Sequence, residues 1–123
     1  MLAYIGDAAY ELWIRKMLVE KHRNPRANLL HRAATKYVSA AGQSKAAKEL
    51  QKGFLREEEV ALLKRARNHR ISSHPRGANP LEYKNATGFE ALVGSLYMDG
   101  SFERLDDIMV EAVRVIDGME ECE

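Results

Sequence analysis

The order of apolar and polar positions divides the chain into six segments of helical length, separated by Gly, Pro and Asn, and no segment alternates long enough to make a strand. The first helix is expected over Leu2 to Lys21, with Leu12, Trp13, Met17 and Val19 among its apolar positions. Asn24-Pro25 places a capping residue before a proline whose fixed φ suits the first helical position, so a second helix should run from there to about Lys36. Ser39 can cap a third segment that continues through Ala46, Ala47 and Leu50 and stops near Gly53. The fourth, Glu57 to Asn68, opens with three glutamates at the positive helix end and closes with Lys64, Arg65 and Arg67 at the negative end. His69 to Ala78 has neither periodicity nor apolar content and reads as an exposed loop. Asn79-Pro80 repeats the start signal for a helix from about Leu81 to Met98, ended by Asp99-Gly100. Ser101 then caps a last helix, with Phe102, Leu105, Ile108, Met109, Ala112, Val113 and Ile116 on a 3.6-residue period, and the acidic tail beyond Gly118 is expected to fray. The pattern predicts an all-α bundle.

A chain of 123 residues with 46% hydrophobic content can close one apolar core, so a single domain over residues 1–123 should carry both binding and chemistry. The one cysteine, Cys122, permits neither an internal disulfide nor a cysteine metal site, which points to a reducing, cytoplasmic setting. No apolar run reaches the roughly 18 to 20 residues of a membrane helix, so no membrane partner is expected. Net charge is only +1, yet residues 1–98 hold 17 basic against 9 acidic side chains, and residues 99–123 hold 2 against 9. Between Glu59 and Glu82 there is no carboxylate, while Lys64, Arg65, Arg67, Arg70 and Arg76 fall there with His69 and His74. That stretch is the clearest polyanion signal in the chain.

Two carboxylates stand in costly places. Asp7 follows Gly6 inside the first helix, where the pair costs about 1–2 kcal/mol against two alanines. It shares a stripe with Ala3, Glu11, Ile14 and Leu18, at the margin of an apolar face. Glu90 lies in the apolar segment Gly88-Phe-Glu-Ala-Leu-Val-Gly94, beside Val93, Gly94 and Tyr97. Two glycines in one helix point to close approach by another backbone, and if the first helix packs there, Asp7 and Glu90 meet. Facing carboxylates with small neighbours suit Mg²⁺, which takes hard oxygen ligands and often only one or two from protein. The plainer readings are a solvated Asp7 and a Glu90 paired with an arginine.

The stretch from Leu2 to Glu11, LAYIGDAAYE, resembles the signature helix of the ribonuclease III catalytic domain, and Gly88 to Gly100, GFEALVGSLYMDG, resembles that family's second acidic helix. Tyr37 to Ala40, Arg65 to Asn68 and Tyr83 to Leu92 look specifically like the Mini-ribonuclease III branch, which consists of the catalytic domain without a double-stranded-RNA-binding domain. The resemblance implies an all-helical homodimer that cuts both strands of duplex RNA with Mg²⁺, leaving 5′-phosphate and 3′-hydroxyl ends. It also implies the precursor of large-subunit (23S) ribosomal RNA as substrate, and leaves open whether a large-subunit ribosomal protein is a further partner that shapes it. Asp7 matches the signature's metal-binding aspartate and Glu90 the metal-binding glutamate. Where larger members carry two further acids, this chain has Ala3 and Thr87, as the Mini branch does, which favours one ion over two. Gln43 is a candidate for the place of another family acid. The chain begins almost inside the signature, which suggests a start displaced from the native one.

On this reading Asp7 and Glu90 are catalytic and hold Mg²⁺, with no side-chain nucleophile. Phosphate contacts fall to Arg65, Arg67, Asn68, His69, Arg70, His74, Arg76 and Lys84, because duplex RNA is recognised mainly by shape and backbone. A histidine in a basic loop is more often a phosphate contact than a proton shuttle. Tyr4, Phe89, Leu92, Leu96 and Tyr97 are candidates for core or dimer interface. One rival is a nuclease-like fold that binds structured RNA in a ribosomal assembly without cutting it. Another is a helical DNA-binding or protein-interaction module, for which the basic helix alone would suffice.

Overall fold

The computed structural model describes residues 1–22, 26–69 and 79–121, with side chains to residue 118. Six helices follow in order: α1 (Leu2–Lys21), α2 (Ala27–Val38), α3 (Ala40–Leu50), α4 (Glu57–Asn68), α5 (Pro80–Met98) and α6 (Phe102–Glu121). There is no strand among the described residues.

Helix α5 is the hub. It buries Asn85, Ala86, Gly88, Phe89, Ala91, Leu92, Val93 and Gly94, and so presents apolar or small residues on nearly every side. A helix of that kind belongs inside a bundle, and α5 packs against α1, α3, α4 and α6. By contrast α1 buries one stripe at four-residue spacing: Gly6, Tyr10, Ile14 and Leu18. Leu12 and Val19, expected among the apolar positions of this helix, lie off that stripe and face outward. Tyr10 meets Phe89 edge to face at 5.1 Å, and its hydroxyl donates to the Tyr37 carbonyl at 2.9 Å. Tyr37 in turn donates to Asp117 of α6 at 2.7 Å. This polar chain ties α1, α2 and α6 together beneath the apolar core.

The terminal signals act largely as their chemistry requires. Ser39 Oγ accepts from the Gly42 N–H at 3.1 Å and starts α3. Asn79 Oδ1 accepts from Leu81 and Glu82 N–H groups, with Pro80 in the first turn of α5. Gly100, with φ of 73°, ends that helix in the left-handed region open to glycine. One expectation falls outside the described residues and one fails. Helix α2 spans Ala27–Val38 with Arg26 as its cap, and the Asn24-Pro25 start signal lies outside the described residues. The tail beyond Gly118, expected to fray, is helical as far as Glu121, since one interior glycine costs only about 1 kcal/mol against alanine.

At the far end of α4, Arg104 of α6 grips Glu59 with Nε and one terminal nitrogen at 2.9 and 2.7 Å and also donates to the Phe54 carbonyl. Burial alone pushes the Glu59 carboxyl up, but the bonds from Arg104 and the Arg56 N–H, with the guanidinium charge, bring it below the usual carboxylate range. The pair fastens α4 to α6.

Candidate active site

What brings Asp7 to Glu90 is the absence of side chains around them. A methyl group built on Gly6 would lie 1.7 Å from the Glu90 carbonyl oxygen and 2.8 Å from the Gly94 nitrogen. One built on Gly94 would lie 2.0 Å from the Leu2 carbonyl oxygen. The backbones of α1 and α5 therefore touch, which only glycine at both positions allows. Gly88 serves a different neighbour: its added methyl would meet the Leu63 carbonyl at 2.7 Å and the Arg67 Cβ at 3.3 Å, both on α4. Of the two α5 glycines, only Gly94 makes the α1 contact.

Asp7 directly follows one party to that contact and Glu90 is the other, and their carboxyl groups lie within hydrogen-bonding reach of each other. Asp7 is exposed and Glu90 partly buried, so the pair sits at the rim of the core rather than inside it. Burial, the hydrogen bond with Asp7 and the Asp7 charge push the Glu90 carboxyl up to about 8, against a smaller opposing effect of the Gln43 amide. No cation is among the described groups that act on Glu90. Among the described residues, then, no arginine partner, the plainer reading of a glutamate in an apolar helix, holds it.

Gln43 is the residue whose place the sequence left open. It is 2% exposed, donates from Nε2 to the Val38 carbonyl at 3.0 Å, and its amide lies close enough to the Glu90 carboxyl to favour the charged form. Its Oε1 has no partner among the described residues. The signal in the sequence is a single amide among small residues on the buried face of α3. Thr87 donates its hydroxyl to the Tyr83 carbonyl one turn back, and Ala3 is partly buried. Neither position adds a carboxylate.

The cationic set divides. Arg65, Asn68 and His69 are exposed at the C-terminal end of α4, and Arg67 is half-buried against α5 near Gly88. Arg67 Nε donates to Asn68 Oδ1 at 3.2 Å. Lys84 is exposed on α5, on the helix that carries Glu90. Arg70, His74 and Arg76 lie outside the described residues. Of the apolar residues left between core and interface, Phe89 and Leu92 are buried, Leu96 is half-buried, and Tyr4 and Tyr97 are exposed.

Two carboxylates with a neighbouring amide form an all-oxygen and amide donor set. Among the described residues no group of three or more His, Cys, Asp or Glu side chains could hold a metal ion. That composition excludes a zinc site of the usual four-ligand kind there and fits a hard cation held through few protein oxygens. Burial does most to raise Glu90, and the Asp7 charge that adds to it is what a divalent cation held by the two groups would offset. No helix among the described residues is long and apolar enough to cross a membrane.

Comparison with known proteins agrees with the geometry. The Ribonuclease III domain family matches residues 1–101. The Mini-ribonuclease 3 of Thermoanaerobacter sp. (strain X514) is 43% identical over 117 residues, covering 95% of this chain and 81% of that protein. The Mini-ribonuclease 3 of Symbiobacterium thermophilum is 42% identical over 116 residues, covering 94% and 88%. A crystal structure of a Fusobacterium nucleatum protein superimposes with a TM-score of 0.80 at 34% identity, over 92% of this chain and 88% of that one. The chain belongs to the ribonuclease III family, on its Mini-ribonuclease 3 branch, and is an endoribonuclease.

Proposed function

We propose that this endoribonuclease cuts double-stranded RNA with Mg²⁺ held by Asp7 and Glu90, and that it matures the ends of the 23S ribosomal RNA precursor in the cytoplasm. The observation that carries the reading is the meeting of two carboxylates from distant helices, with no cation among the described groups acting on the buried one. Enzymes of the ribonuclease III family act on double-stranded RNA and generally depend on a divalent metal.

The chemistry such an ion supplies when bound is positive charge against the scissile phosphate and acidification of water. The protein's own part is positional. Asp7 lies exposed on α1 and Glu90 partly buried on α5, so the site is open to a substrate on the Asp7 side. Ala3 and Thr87 leave the acid set at two, which favours one ion rather than two. Arg65, Arg67, Asn68, His69 and Lys84, together with Arg70, His74 and Arg76 of the neighbouring segment, grip phosphates along the duplex.

Cutting two antiparallel strands calls for two such sites related by a two-fold axis, hence a homodimer. The exposed apolar side chains Tyr4, Leu12, Tyr97, Met98 and Phe102 supply surface for it. The products carry 5′-phosphates, and a large-subunit ribosomal protein shapes the precursor. The deciding experiment incubates purified duplex RNA with Mg²⁺ and native protein, Asp7→Asn or Glu90→Gln, measuring binding alongside. Lost cutting with retained binding is the expected result; undiminished cutting by both variants overturns the assignment.

A further inference from the structure

The corner between α2 and α3 is built tightly around one residue, Ser39, which ends one helix and starts the next. A methyl on Gly42 would lie 2.4 Å from the Lys36 carbonyl oxygen and 3.0 Å from that of Tyr37, so the corner closes only with glycine there. The following side chain, Gln43, is turned inward and is 2% exposed. It donates to Val38 in the corner itself, and its amide lies beside the Glu90 carboxyl on α5. One residue later Ser44 Oγ accepts from Asn85 Nδ2 at 3.2 Å, a second buried polar link from α3 to α5.

For stability alone the amide is a poor choice. Burying it costs free energy that its hydrogen bonds only partly offset, and Oε1 is left without a partner among the described residues. An apolar side chain of the same volume would remove that penalty. Something other than stability accounts for it.

We infer that Gln43 is a positioning residue: its amide ties the Glu90 carboxyl to the α2–α3 corner and holds it opposite Asp7 in the orientation that receives the cation. The inference rests on the metal-site reading above. Groups that orient a metal ligand without touching the metal typically change affinity or activity by about 10- to 100-fold when removed.

The test uses Gln43→Leu, which keeps the volume and removes both polar atoms, with three readouts. These are Mn²⁺ binding to the RNA-free protein by electron paramagnetic resonance, the Mg²⁺ dependence of duplex cleavage, and thermal unfolding. The expected result is a thermal midpoint at or above native, with the metal concentration for half-saturation raised roughly 10- to 100-fold. Ser44→Ala, which removes the other α3–α5 link, should lower the midpoint and leave the metal dependence at the native value. Native metal affinity in Gln43→Leu, or an equal loss in Ser44→Ala, overturns the inference. If Gln43→Leu does not fold, Gln43→Met, unbranched and adaptable, carries the same readouts. Glu90→Gln separates the two levels: native Mn²⁺ binding and cutting in that variant defeat the site itself. Their loss there beside native behaviour in Gln43→Leu defeats only the role of Gln43.

Discussion

Gly6 and Glu90 touch backbone to backbone, with no room for even a methyl group between the α-carbon of one and the carbonyl of the other. The contact sets the spacing of the two carboxylates, because Asp7 follows Gly6 directly and Glu90 is itself the other party.

Gly6→Ala should therefore destabilise the fold and disable the site together. Alanine would gain about 1 kcal/mol in helix propensity, but the collision at 1.7 Å is with rigid backbone, and overpacking of that kind costs about 1–3 kcal/mol or more. Urea denaturation decides the sign. A variant more stable than native would show that α1 and α5 are not in contact.

Metal-free protein should lose stability as pH rises through neutrality. The Glu90 carboxyl is raised from its ordinary value of 4.5 to about 8 by burial and by Asp7. Between those values the folded state holds a proton that the unfolded state has released, so this group's contribution falls as pH climbs across the window. Glu90→Gln, which cannot ionise, should flatten that part of the stability curve in chelator. A curve of unchanged slope would count against the raised value.

Cation binding near pH 7 should expel up to about one proton per site, since the carboxylate and not the acid is the ligand. Calorimetric titration of Mn²⁺ in buffers of different ionisation enthalpy measures it directly. Affinity should climb with pH and level off above about 8. Heats independent of the buffer would mean that Glu90 is not protonated beforehand.

The Glu59–Arg104 pair predicts sensitivity of the opposite sign. The Glu59 carboxyl lies below the usual range, so its contribution is present above the unfolded value and is lost as pH falls through the folded one. With side-chain exposures of 6% and 16% the pair is nearly dry. Glu59→Gln should cost about 3 kcal/mol at neutral pH, toward the lower end for a broken buried pair because Arg104 keeps some contact with water. The deficit should shrink in acid, as followed by circular dichroism during unfolding at several pH values.

RNA affinity should fall steeply with salt. Replacing Arg65 or Arg67 with alanine should weaken binding to duplexes of any sequence. The slope of log affinity against log salt should become shallower by about one for every phosphate that is no longer neutralised. Filter binding across a salt series distinguishes this from a surface that merely faces solvent, for which the slope would not change.

Helix limits were legible wherever a local chemical rule decides them. Ser39, Asn79 and Gly100 act within one turn of their own positions, and the bounds they set agree with the structure to within a residue or so. Asp7 and Glu90 were legible for a related reason, since each breaks a local rule that only a distant contact can justify. Less legible was anything decided by three dimensions at once. The α1 pattern could not say that Leu12 would face outward, because the stripe from Gly6 to Leu18 competes for the same core. Nor could it say that Gly88 would serve α4 and Gly94 serve α1. Gln43 escaped a firm reading because its meaning depends on a corner closed by Gly42 and on a helix far along the chain.

If Asp7 and Glu90 are the ligands proposed, the glycine contact also dictates when the enzyme becomes dangerous to RNA. The two proposed metal ligands stand far apart in the sequence, so on that reading a growing or half-folded polypeptide carries only isolated carboxylates. Competence arrives all at once, when the first helix locks onto the fifth. On the proposed reading, anything that peels that first helix away should silence the molecule while leaving the cationic end of α4 in place.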